Sequence, residues 1–96
     1  MAWYVVLAKF TDQGIRAVKD TPKRAKTFRD TASALGVKIK DIYWTLGHHD
    51  VVRTMEAPDD ETAAALMMKV GSLGNLTSQT LRAFTESEIT AIASRV

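Results

Sequence analysis

Residues 2–10, Ala-Trp-Tyr-Val-Val-Leu-Ala-Lys-Phe, are dominated by β-branched and aromatic side chains. Successive residues of a strand point to opposite faces. Trp3, Val5 and Leu7 therefore make one apolar face, and Tyr4, Val6, Ala8 and Phe10 make the other. A strand apolar on both sides belongs in the middle of a sheet that is covered twice. That requirement constrains this chain more than any other, because 96 residues hold little beyond one small domain. The expected domain spans residues 1–96.

The rest of the pattern supplies one cover. Thr11 offers a helix cap, with Asp12 in the first turn and Gly14 weakening the piece. Thr21-Pro22 predicts a longer helix, with Thr at the cap and Pro at the first helical position. Ala25, Phe28, Ala32 and Leu35 share its inner face, and Gly36 supplies a left-handed stop. Residues 37–46 predict a strand. Val37 and Ile39 alternate with lysines, then the phase moves to Ile42, Trp44 and Leu46, which predicts a bulge near Lys40-Asp41. Gly47-His48-His49 reads as a turn, and Asp50 to Ala57 as the returning strand.

Asp59 predicts a helix start, with Ala63, Leu66, Met67, Val70 and Leu73 as its apolar stripe and Gly74 as its stop. Asn75 to Phe84 predicts a fourth strand. Thr85-Glu86-Ser87-Glu88 has the spacing of a capping box. Ile89, Ile92, Ala93 and Val96 follow on one face and predict a short terminal helix docked by its apolar side.

Strand-helix-strand thus occurs twice. The predicted fold is α+β: a ferredoxin-like βαββαβ unit with a four-stranded antiparallel sheet, the first and third strands in its middle, plus a C-terminal helix. Its helices cover one sheet face only. The second apolar face of residues 2–10 needs another cover, and a second copy of the chain is the economical one. The expected assembly is a homodimer closed sheet to sheet, a dimeric α+β barrel.

Four stretches carry a resemblance: Phe10-Thr11-Asp12-Gln13-Gly14-Ile15-Arg16, Asp41-Ile42-Tyr43-Trp44-Thr45-Leu46-Gly47, Glu56-Ala57-Pro58-Asp59-Asp60-Glu61 and Gly71-Ser72-Leu73-Gly74-Asn75. Together they resemble the GYD-domain family over nearly the whole chain. The resemblance implies a small bacterial or archaeal protein of the dimeric α+β barrel class, and no general activity. The family's glycine, tyrosine and aspartate align as G-x-Y-D with Gly47-His48-His49-Asp50, so His49 stands where tyrosine is usual.

Composition narrows the function classes. The chain has no cysteine, which removes disulfides, cysteine metal sites and thiol catalysis, and suits a cytoplasmic location. Net charge is only +2, and Arg16, Lys19, Lys23, Arg24, Lys26 and Arg29 read as a solvated helix face. No aromatic residues interleave them except Phe28, which is placed in the core, so no nucleic-acid partner is expected. No membrane partner is expected either, since Met1 to Ala8 lacks a basic leader and is too short to span. Gln13-Gly14-Ile15-Arg16 has a shorter glycine-to-arginine spacing than an acylphosphatase phosphate loop. Neither a P-loop nor a dinucleotide glycine pattern is present.

Candidate chemistry sits in two places. His48 and His49, the only histidines, precede Asp50 at the hairpin. His49 and Asp50 are the candidate catalytic pair, and His48 and His49 weak metal candidates, with haem or a divalent metal as a minor alternative. A polar hairpin tip, in which Asp50 bonds turn amides, is the simpler reading. The second place is the sheet. Leu81 and Ala83 suit the helix-covered face, which would turn Ser78, Thr80 and Arg82 into the barrel with Tyr43 and Thr45. A ligand site is therefore expected among Tyr43, His49, Asp50, Glu56, Thr80 and Arg82. The function expected first is a homo-oligomeric module binding a small, partly apolar organic ligand in the barrel. The alternatives are a cofactor-independent oxygenase or isomerase, or a haem- or metal-binding relative, using the hairpin residues, and a structural or assembly protein.

Overall fold

The computed structural model describes residues 1–96. Strand β1 (Ala2–Phe10) leads into a short helix α1 (Asp12–Arg16), and a 3-10 turn (Val18–Asp20) runs into α2 (Thr21–Ala34). Then come β2 (Lys38–Trp44), β3 (Val51–Ala57), α3 (Asp60–Gly71), β4 (Leu76–Ala83) and α4 (Glu86–Ala93). The sheet order is β2-β3-β1-β4, all antiparallel, so β1 and β3 are central as expected of a ferredoxin-like unit. No helix is long and apolar enough to cross a membrane.

Helices α2 and α3 cover one face. Tyr4, Val6, Met55 and Ala57 of the sheet pack against Phe28 and Ala32 of α2 and Ala63 and Leu66 of α3, with Val37 at the side. The α2 stripe ends sooner than its spacing predicts. Leu35 is the C-cap residue and is exposed, because Gly36 turns the chain away at φ +78°. Thr21 is not the α2 cap either. The preceding 3-10 turn makes Asp20 the cap residue, with no side-chain bond, and Thr21 opens the helix. α3 stops at Gly71 rather than Gly74, and Leu73 is exposed beyond it.

The bulge falls where the phase shift predicts. Ile39 pairs with Met55 and Asp41 with Thr54, leaving Lys40 as the extra residue. Ile39 and Ile42 can then both pack beside the core although their spacing is odd.

Directly paired residues of an antiparallel sheet share a face. Tyr4 pairs with Arg82, Val6 with Thr80 and Ala8 with Ser78, so Ser78, Thr80 and Arg82 lie on the helix side. Leu81 pairs with Val5, and Ala83 with Trp3, on the opposite face. This reverses the expected orientation of β4. At this edge the helix layer does not reach over Ser78, Thr80 and Arg82, which are exposed, whereas the helix-free face is apolar. Polarity therefore marks the wrong side of β4.

Two loops interlock at one end of the sheet. Thr11 caps α1 by accepting from Gly14 N at 3.0 Å, and its own Oγ1 donates to Gly74 O at 2.5 Å. Thr11 N donates to Asn75 O at 3.1 Å. Gly14 is buried against the same strand-leading segment, and a Cβ there would lie 2.0 Å from Asn75 O. Glycine is required at this position by close backbone approach.

Helix α4 has the capping box its sequence predicts: Thr85 N donates to Glu88 Oε1 at 2.9 Å, and Glu88 N to Thr85 Oγ1 at 3.1 Å. Its docking is not as expected. No α4 residue is buried, and Ile89, Ile92 and Val96 are exposed. With a projecting helix, the radius of gyration is 14.3 Å, against about 12.5 Å for a rounded domain of this length.

Two outcomes follow. Gly14→Ala should cost about 2 kcal/mol or more, seen as a lower denaturant midpoint at unchanged slope. Thr85→Ala should cost about 1 kcal/mol of helix stability. Because α4 is undocked within its own chain, the loss should appear in the Cα chemical shifts of residues 86–93, not in the midpoint of the isolated chain. Glu88 is held below its ordinary value of 4.5, first by the Thr85 N–H. A carboxylate with a lowered folded pKa contributes fully above its unfolded value and loses that contribution as pH falls through the folded one. The helical shifts of α4 should accordingly begin to fade as pH drops below 4.5.

Candidate functional site

The six expected ligand residues occupy three separate places. The hairpin is the first. Asp50 N donates to Ala8 O at 2.8 Å, and Asp50 Oδ2 accepts from Phe10 N at 2.9 Å. The carboxylate thus ties the β2–β3 hairpin to the end of β1, rather than bonding amides of its own turn. Thr45 Oγ1 donates to His49 O at 2.6 Å, and His48 is exposed at the tip. Nowhere do three His, Asp or Glu side chains converge in a metal-binding group.

Tyr43 and Glu56 lie on the helix-free face. Tyr43 pairs with Val52, and Glu56 with Trp3. Glu56 Oε1 is 3.2 Å from Lys40 Nζ, and that ammonium sits 5.7 Å from the centre of the Trp3 ring. Thr54 Oγ1 donates to Asp41 Oδ2 at 2.8 Å. This face has an apolar middle of Trp3, Val5, Leu7, Val52 and Leu81, with a polar border along β2.

Thr80 and Arg82 lie on the other face, in a small cleft of about 270 Å³ with Tyr4 and Asp60. Tyr4 OH donates to Asp60 Oδ1 at 2.5 Å. Burial, with help from Asp60, pushes the Tyr4 hydroxyl up to about 12. The Arg82 guanidinium is 4.6 Å from the Phe84 ring centre and 3.9 Å from Glu88 Oε2. It also donates to the Ala83 carbonyl. Arg82 pairs with Tyr4, six residues along β1 from the hairpin contact at Phe10, or about 20 Å. The expected common side for Tyr43, Thr80 and Arg82 is therefore not formed within one chain.

A larger cavity, about 420 Å³, lies between α2, α3 and the helix side of the sheet. Phe28, Ile42, Trp44, Val70, Leu73 and Leu76 supply its apolar walls. Arg53 also lines it, although β3 places that residue between Val51 and Met55 on the buried face. Arg53 is 5% exposed, and its guanidinium stacks 4.2 Å from the centre of the Phe28 ring. Its Nη1 has no hydrogen-bond partner. The chain's ion pairs are Lys40–Glu56 and Arg82–Glu88, so no carboxylate neutralises Arg53. Burial pulls the guanidinium down to about 10, which leaves it cationic at neutral pH. The other charged lining residues, Arg24 and Lys69, are also basic. Arg24 is occupied, donating to Ala17 O at 3.1 Å and Gly14 O at 3.2 Å.

Arg53 is absent from the site expected from sequence. The signal was there: Val51, Met55 and Ala57 alternate on one face of the strand, and Arg53 is the charge in their row. An arginine within an apolar row is either paired or poised for a partner.

No curated protein matches the chain. The family model described as "GYD domain" matches residues 4–93, which include the interlocked loops, the hairpin, both cavities and the whole of α4. The chain belongs to the GYD-domain family.

Proposed function

We propose that this GYD-family domain is a homodimeric binding module. Two copies pack their helix-free faces together about a two-fold axis, closing an α+β barrel, and the domain holds a small, partly apolar organic ligand. One observation carries the assembly: the central strand leaves Trp3, Val5 and Leu7 on a face that no element of the chain covers. The surface area agrees. The chain exposes 6383 Å², where a folded monomer of its mass exposes roughly 5,500 Å². The excess, on the order of 900 Å², comes from the undocked α4 together with the open sheet face, the two surfaces a second copy would cover. An apolar middle with a polar border is also the anatomy of an interface. α4, with Ile89 and Ile92 exposed, is available to the second copy.

Binding is supported by the cavity on the helix side. Its volume lies within the usual range for small-molecule sites, and its walls are mainly apolar with a few polar groups. On this reading the ligand sits above Arg53, and not between the sheets. Tyr43 and Glu56, on the open face, would line the barrel interior.

Sedimentation of the full chain at micromolar concentration should give a dimer. Val5→Lys should give a monomer with an unchanged far-ultraviolet circular dichroism spectrum, because Val5 faces away from the core. Val6→Lys, on the buried face, should instead unfold the chain. A parent that sediments as a monomer overturns the assembly.

A further inference from the structure

We propose that the cavity over Arg53 is a site for an organic carboxylate carried on an apolar body. The inference rests on the binding reading above and is independent of the assembly.

Burying a guanidinium without a counter-charge is costly, and replacing a buried ion by an apolar residue is often neutral or stabilising. Arg53 is nevertheless enclosed in the fold and leaves Nη1 unpartnered. Its presence makes sense if an anion completes the site. The residues lining the cavity include three cations, Arg24, Arg53 and Lys69, and no Asp or Glu, so an incoming anion meets no repulsion there.

The form of the anion follows from the donors. Phe28 stacks against the Arg53 guanidinium at 4.2 Å, and the bonds of a guanidinium lie in its plane. An in-plane edge matches the two oxygens of a carboxylate. Arg24 already gives an N–H from each of its Nη atoms to backbone carbonyls, which leaves Lys69 as the one further cation a phosphate dianion could use, so inorganic phosphate is the competing probe. The rest of the ligand must suit Ile42, Trp44, Val70, Leu73 and Leu76, which calls for an aromatic or short aliphatic body. A wholly apolar ligand would leave Nη1 as it is now, buried and unbonded.

The test uses matched probes on the full chain. Phenylacetate and hexanoate are titrated against their primary amides, phenylacetamide and hexanamide, and against inorganic phosphate. Calorimetry gives the affinities, and the indole N–H resonances report location, since Trp44 lines the cavity and Trp3 lies on the opposite face. The carboxylates should bind at least about tenfold tighter than the amides. They should shift Trp44 and leave Trp3 unmoved. Arg53→Met should lose this preference while its ligand-free Tm stays equal or rises. Should that variant fail to fold, Arg53→Lys keeps the charge without the planar edge, and should retain a reduced preference.

Equal affinity for acids and amides overturns the ligand class and leaves the binding module standing. Phosphate binding as tightly as the organic acids overturns it too, in favour of a small inorganic ion. If no probe binds, the ligand class and the binding reading fall together, and only the assembly remains.

Discussion

Pairing of β1 with β3 and β4 is the constraint on which the structure depends. The strand fixes the registers of the two neighbours and shares out its side chains between two different jobs. Tyr4, Val6 and Ala8 go under the helices, and Trp3, Val5 and Leu7 go to the uncovered side. Because alternation is strict, neither job can be changed by moving the strand one residue without exchanging both. Only 13 of 96 residues are buried, Arg53 and Gly14 among them, so the chain has little other apolar packing to hold it.

Across the same sheet the two faces differ in what they do with charge. On the open side Lys40 meets Glu56, and Asp41 meets Thr54, at a solvated border where such contacts contribute little. On the covered side Arg53 stands alone beneath Phe28. Water and counter-ions screen the first pair but have little access to the second. Electrostatics therefore matter far more within the helix-side cavity than at the candidate interface, where shape and apolar contact dominate.

Much of the fold was legible from local chemistry. Thr11, Asp59 and Thr85 all cap the helices their spacing announced, since capping depends on residues only three apart. The bulge at Lys40 was readable because a change of phase in one strand records its cause. Two failures have a common physical origin. The sequence pattern predicts that Leu81 and the apolar stripe of α4 face inward, yet both are exposed in the single chain. Apolar side chains mark surfaces that leave water, and such a surface need not be the chain's own core. The candidate site carries the same ambiguity: Tyr43 and Arg82 share a side only if Leu81 and Ala83 face the helices, and the register puts Tyr43 and Arg82 on opposite sides. The row Val51, Arg53, Met55 and Ala57 displays the charge, but whether it has a partner depends on contacts such as that with Phe28, 25 residues away, which no linear pattern contains.

The clasp between Thr11, Gly14 and the Gly74-Asn75 segment has a consequence for the edge of the sheet. β4 is an edge strand whose central run, Thr77 to Thr80, is polar on both faces, a composition that specifies its alignment only weakly. Slippage by one residue would carry Leu81 to the helix side and Arg82 to the open side. The clasp prevents this at the point where β4 begins, because Asn75 O is held by Thr11 N while Gly14 packs directly on it. A loop on the opposite end of the sequence thereby acts as a ruler for the last strand. It also keeps a free edge in a single, committed alignment, which denies neighbouring chains the loose template on which β-aggregates grow.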